Sequence, residues 1–124
     1  GIEYKSLGFV NDKKKLNSAY CSSDFFVFPS IQEAFGKTCA EAMACEIPVI
    51  CFKNTSVAEL VDHKINGYIV EKINSDELKK GIEWISIHTK EKNYFNNLAR
   101  NKVFKFDAKN IAHEYIKLYS SISK

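Results

Sequence analysis

The sequence predicts an α/β fold, an open and mostly parallel sheet with helices on both faces. Three observations predict it. The runs "DFFVFPS" at 24–30 and "IPVICF" at 47–52 are continuously apolar, aromatic or β-branched, which suits strands buried on both faces. Helical periods alternate with strand-like runs through residue 80, and only helical periods follow to the end of the chain.

Taken in order, "IEYKSLGFV" at 2–10 predicts a strand that ends at Gly8. "NDKKKLNSAYCSS" predicts a short amphipathic helix capped by Asn11 or Asp12, whose side chains can accept from the first free N–H groups. Pro29 stops the strand "FFVF" because it has no ladder donor, and small helix-tolerant residues from Lys37 to Cys45 predict the next helix. Pro48 leads in the strand "VICF", and "SVAELVDH" predicts a short helix. "NGYIV" predicts a turn at Gly67 and then a short strand. Asn74 and Glu77 have capping-box spacing in front of "LKKGIEWISI", so a helix begins there. Residues 90–106 and 107–123 predict two more helices, the last capped by Asp107, with Ile111, Tyr115, Leu118 and Ile122 along one face.

A chain of 124 residues is enough for one compact domain with its own core. The net charge of +3 and the single arginine, Arg100, argue against a nucleic-acid binder, which needs a denser basic surface. Lys13, Lys14 and Lys15 then belong to the solvated face of a helix. The four cysteines, Cys21, Cys39, Cys45 and Cys51, are 18, 6 and 6 residues apart and make no zinc or redox dithiol spacing. They are expected to be buried, reduced thiols of a cytoplasmic protein. His63, His88 and His113, 25 apart each time, are expected at the surface or core edge, and Trp84 with Ile82, Ile85 and the later aromatics in helix core. No run reaches the roughly 18 to 20 apolar residues that span a bilayer, and "GIEYKSLGFV" has no signal-peptide pattern.

The chemistry concentrates in "SIQEAFGKTCAEAMACEIPVI". In an open α/β sheet ligands bind beyond the carboxyl ends of strands, where loops enter helix N-termini. The segment "PSIQEAFGKT" lies there. The free N–H groups around Gly36, Lys37 and Thr38, with the helix dipole, attract phosphate, and Gly36 allows its close approach. Glu33 before that site and Glu41 after it are suited to hydroxyl groups rather than to the phosphate, since a carboxylate accepts from two neighbouring donors. Sugar, phosphate and second sugar in series satisfy both, and a nucleoside diphosphate sugar has that order.

The same residues resemble the E-x7-E signature of group 1 retaining glycosyltransferases, enzymes of GT-B architecture with two facing Rossmann-like domains. The resemblance runs from "LGFVNDKKKLNSAYCSSDFFVFPSIQEAFGKTCAEAMACEIPVI" through "AELVDHKINGYIV". It implies that residues 1–124 are the C-terminal nucleotide-sugar-binding domain, incomplete at its N-terminal side and without the acceptor domain. It further implies that Glu33 contacts donor-sugar hydroxyls near the anomeric centre. Phe35, Gly36, Lys37 and Thr38 would surround the diphosphate and sugar, Glu41 would hold the ribose, and Val10 would pack near the nucleobase.

The partners implied are a nucleotide-sugar donor and a carbohydrate or lipid-linked acceptor held by the absent domain, with no metal or other cofactor and no nucleic acid. The setting implied is polysaccharide, lipopolysaccharide or glycolipid synthesis in the cytoplasm, with a peripheral place at the inner face of the membrane. The family's basic Arg and Lys are missing here, so the chain alone is expected to be inactive. Glu46 stands where the family commonly has glycine, and "NTSVAE" lacks a glycine pair. The alternative reading is a non-catalytic nucleotide-binding or interaction module of the same half-Rossmann fold.

Overall fold

The computed structural model describes residues 1–91, 94–95 and 97–123. Three short strands, β1 (Phe26–Phe28), β2 (Val49–Phe52) and β3 (Gly67–Val70), form a parallel sheet in the order β1-β2-β3. Val27 aligns with Ile50 and Ile50 with Tyr68, so the three strands share one register. Helices α1 (Lys13–Cys21), α2 (Lys37–Ala44), α3 (Ser75–His88), α4 (Leu98–Phe104) and α5 (Ala108–Ile122) complete the chain, with a 3-10 turn at Ser56–Glu59.

Strand side chains alternate between the faces, and the sheet divides the core accordingly. Val49 and Cys51 point into a cluster with Cys39, Ala42, Met43, Val57, Leu60, Ala99 and Val103, built by α2, α4 and the 3-10 turn. Ile50, Phe52 and Val70 point the other way, toward Ile85, Phe95 and the partly buried Leu78, Ile82 and Trp84. Both faces of the sheet are therefore covered, as the unbroken apolar runs required.

The cap signals act where they were read, with refinements. Asp12 is the N-cap of α1 and accepts from Lys14 N at 2.8 Å and Lys15 N at 3.4 Å. Asn74 Oδ1 accepts from Glu77 N at 2.8 Å, but Glu77 turns its carboxylate to Lys80 Nζ at 2.6 Å and closes no reciprocal box. Asp107 occupies the N-cap of α5 without a side-chain bond.

Four expectations are corrected. Residues 1–12 form no strand, and Ile2, Tyr4 and Phe9 are 92%, 90% and 93% exposed. Strand propensity expresses packing on a pleated face, and no described strand pairs with this segment. Gly67 is no turn residue: it opens β3, and a side chain there would collide with the backbone of Val49 on the neighbouring strand. Lys64 instead takes the left-handed turn, at φ 61. The helix expected over 90–106 begins at Leu98, after Asn97 at φ 53; residues 92, 93 and 96 lie outside the described residues.

The fourth correction concerns the C-terminal aromatics. α5 buries none of its residues, and its face of Tyr115, Leu118, Tyr119 and Ile122 is more than half exposed. Trp84, Ile82 and Ile85 do pack against the sheet. The helical period of α5 was legible, but nothing described here covers it.

Candidate functional site

The loop from β1 to α2 turns on Gly36. Its φ of 79 is left-handed, and it is the N-cap of α2, with no side-chain cap bond. A left-handed backbone suits glycine because a Cβ would crowd the carbonyl. Packing imposes the same choice, since an added Cβ would overlap Val57 Cγ2. The turn presents Lys37 and Thr38, both exposed, in the first turn of α2.

Glu33 lies before this turn. Its Oε1 accepts from Ala34 N at 3.0 Å and its backbone carbonyl accepts from Ser56 Oγ at 2.7 Å, which ties the loop to the 3-10 turn beyond β2. Its charge also contributes, after burial and the neighbouring Cys51, to pushing the buried Cys39 thiol up to about 12.

Glu41 is partly buried one turn into α2, and Tyr20 OH on α1 donates to its Oε2 at 3.4 Å. Burial first, then the charge of Glu41 and that hydrogen bond, push the Tyr20 hydroxyl up to about 12. The phenol therefore stays a donor near neutral pH.

Two cavities meet at Glu41. One of about 380 Å³ lies between α1 and α2 and is lined by Lys13, Leu16, Asn17, Tyr20, Lys37 and Glu41. The other, of about 520 Å³, reaches toward α4 and the start of α5 and is lined by Phe35, Lys37, Glu41, Arg100, Phe106 and Asp107 among others. Phe35 meets Phe106 edge-on, with ring centroids 5.5 Å apart.

The fold thus brings Phe35, Lys37 and Glu41 together around shared space. Glu33 and Gly36 on the adjoining loop and Thr38 in the first turn of α2 line neither cavity, and Val10, half-buried in 1–12, lines neither. Sequence reasoning missed Tyr20, Lys13 and Arg100. The signal for the first two was there: Lys13, Leu16 or Asn17, and Tyr20 recur at helical spacing and so share a face. For Arg100 no local pattern points across to α2. Among the described residues, no three His, Cys, Asp or Glu side chains converge as a metal site.

A family model described as "Glycosyl transferases group 1" matches residues 2–102. The chain belongs to the glycosyl transferases group 1 family. An uncharacterized glycosyltransferase of Methanocaldococcus jannaschii is 34% identical over 122 residues, which is 96% of this chain and 31% of that relative. The N-acetylgalactosamine-N,N'-diacetylbacillosaminyl-diphospho-undecaprenol 4-alpha-N-acetylgalactosaminyltransferase of Campylobacter jejuni is 31% identical over 112 residues, 90% of this chain and 30% of that one.

Among solved structures, Anabaena HepE in complex with UDP superposes with a TM-score of 0.78 at 29% identity, covering 93% of this chain and 31% of that one. The chain therefore spans about a third of the length of these relatives. As a group 1 family member with the fold of a GT-B C-terminal domain, it confirms the predicted fold class. No described helix is long and apolar enough to cross a membrane.

Proposed function

We propose that this chain is the donor-binding portion of a retaining glycosyltransferase, which moves a sugar from a nucleoside diphosphate sugar to a carbohydrate or lipid-linked acceptor. One observation carries the reading. Glu41 is held by Tyr20 at the meeting of two cavities, one helical turn beyond the left-handed Gly36 N-cap.

In this reading the uncapped N–H groups at Gly36, Lys37 and Thr38 receive the diphosphate, with the helix dipole behind them. Glu41 accepts from ribose hydroxyls, Glu33 from the transferred sugar, Phe35 closes one side, and Val10 comes to the nucleobase. Glycosyl transfer with retention needs stabilisation of the charge that develops on the departing diphosphate. Lys37, in the first turn of α2, contributes positive charge beside that place, and no metal is required. The acceptor is held by an N-terminal domain, and further positive charge comes from an Arg and a Lys earlier in the same donor-binding domain. The UDP complex of Anabaena HepE and the lipid-linked chemistry in the name of the C. jejuni relative support a donor of this class and work in glycan assembly.

Titration with uridine and guanosine diphosphates, followed by amide chemical shifts, tests the reading. Saturable shifts at 36–38 that weaken in Glu41→Ala are expected, and the stronger nucleotide identifies the base. Flat spectra at millimolar nucleotide would hand the lead to a non-catalytic interaction module of the same fold.

A further inference from the structure

The four cysteines have no dithiol spacing in the sequence, yet the fold brings two of them to one oxygen. Helices α1 and α2 pack side by side, with Cys21 ending one and Cys45 capping the other. Both thiols point at Asn17 Oδ1, Cys45 Sγ at 3.0 Å and Cys21 Sγ at 3.9 Å. The three side chains line one cavity of about 350 Å³, which Glu46 and Arg100 also enter. Cys21 is exposed and Cys45 partly so, whereas Cys39 and Cys51 are buried against the sheet. Two sulfurs that share an acceptor lie within a side-chain rotation of each other. The Cys45 thiol is pushed up to about 11 by burial first and then by the neighbouring Cys21.

We propose that Cys21 and Cys45 are a modification site, a dithiol that a small disulfide of the glutathione class oxidises to a reversible bridge between α1 and α2. The exposed Cys21 loses its proton to solvent, and its thiolate attacks one sulfur of the oxidant and expels the first small thiol. Cys45 then loses its proton to solvent, and its thiolate attacks Cys21 Sγ, so that the mixed disulfide breaks and the second small thiol leaves. Two protein thiols are oxidised by two electrons and one small disulfide is reduced to two thiols. Arg100, which lowers the Cys45 thiol pKa against the larger raising effects, favours the thiolate of the second step. The bridge fastens α1 to α2 beside Tyr20 and Glu41. It is independent of which ligand those residues bind.

The test treats the full chain under native conditions with oxidised glutathione at mildly alkaline pH, blocks remaining thiols, and maps peptides without reduction. Expected is a monomer lighter by two hydrogen atoms, with Cys21 linked to Cys45 by fragment-ion sequencing, reversed by dithiothreitol. The bridge persists in Cys39→Ser, and Cys45→Ser leaves a stable glutathione adduct on Cys21. A wild-type chain that keeps glutathione on Cys21 with Cys45 free, or dimerises through Cys21, overturns the proposal. That wild-type map decides the matter even if a variant fails to fold.

Discussion

A side chain at Gly36 would run into the Cγ2 methyl of Val57, a residue that is itself fully buried. The loop ahead of α2 and the 3-10 turn beyond β2 are therefore locked together at the point where α2 begins. Ser56 Oγ, bonded to the Glu33 carbonyl at 2.7 Å, closes the same contact from the other side.

Gly36→Ala is expected to cost about 3 kcal/mol, the left-handed backbone contributing about 1 to 2 and the overlap with stiff, buried Val57 a similar amount. Urea unfolding of both single variants and of Gly36→Ala with Val57→Ala checks this. The double variant should lose less than the sum of the two, because the overlap disappears while the strained φ remains.

Glu46 closes α2 as a Schellman motif in which the left-handed position is filled by a side chain that disfavours it. Its φ is 67, Glu46 N bonds Met43 O at 3.0 Å, and Ile47 N bonds Ala42 O at 3.1 Å. The return for keeping glutamate is a pair with Arg100 at 3.4 Å, largely solvent-exposed, and such pairs contribute about 0 to 1 kcal/mol. Glu46→Gly should therefore stabilise the chain by about 0.5 to 1 kcal/mol, or roughly 2 to 5 °C in thermal melting. An unchanged or lower melting temperature would mean that the Arg100 pair outweighs the backbone cost.

His63 Nδ1 accepts from Ile69 N at 3.0 Å, which only an unprotonated nitrogen can do. Burial first, then Lys64, hold its pKa below 6.5, while Glu71 acts weakly the other way. Because the folded pKa is the lower one, the unfolded chain takes up the proton first as pH falls. The stability contributed by neutral His63 is complete above pH 6.5 and is lost as pH falls through the folded pKa. Melting temperatures across mildly acidic pH should fall more steeply in the wild type than in His63→Asn, whose Oδ1 occupies the position of Nδ1 and accepts the same bond at every pH.

Tyr20→Phe removes the donor that orients Glu41 and leaves the ring packed edge-on against Phe26 at 5.8 Å. Folding should be little changed. Under the proposed function, nucleoside diphosphate affinity should weaken about 2- to 5-fold, the worth of one long hydrogen bond at about 0.5 to 1 kcal/mol. Calorimetric titration of both forms measures it, and equal affinities would remove Tyr20 from the site.

The sequence by itself determined what depends on neighbours along the chain. The apolar runs at Phe26–Phe28 and Val49–Phe52 are strands of one parallel sheet, Asn74 and one of Asn11 and Asp12 start their helices where an oxygen meets free N–H groups, and residues 2–102 carry the likeness to the family. The tertiary structure alone decided what depends on residues distant in sequence. It left residues 1–12 and the apolar face of α5 uncovered, although their periods read as strand and core helix. It turned Gly67 from a turn residue into a close-contact residue beneath Val49, put Tyr20 on Glu41, and set Cys21 and Cys45 on one oxygen. Local periodicity and capping follow from a few consecutive dihedral angles. Which surface meets which is set by packing between elements, and no stretch of the chain records its partner.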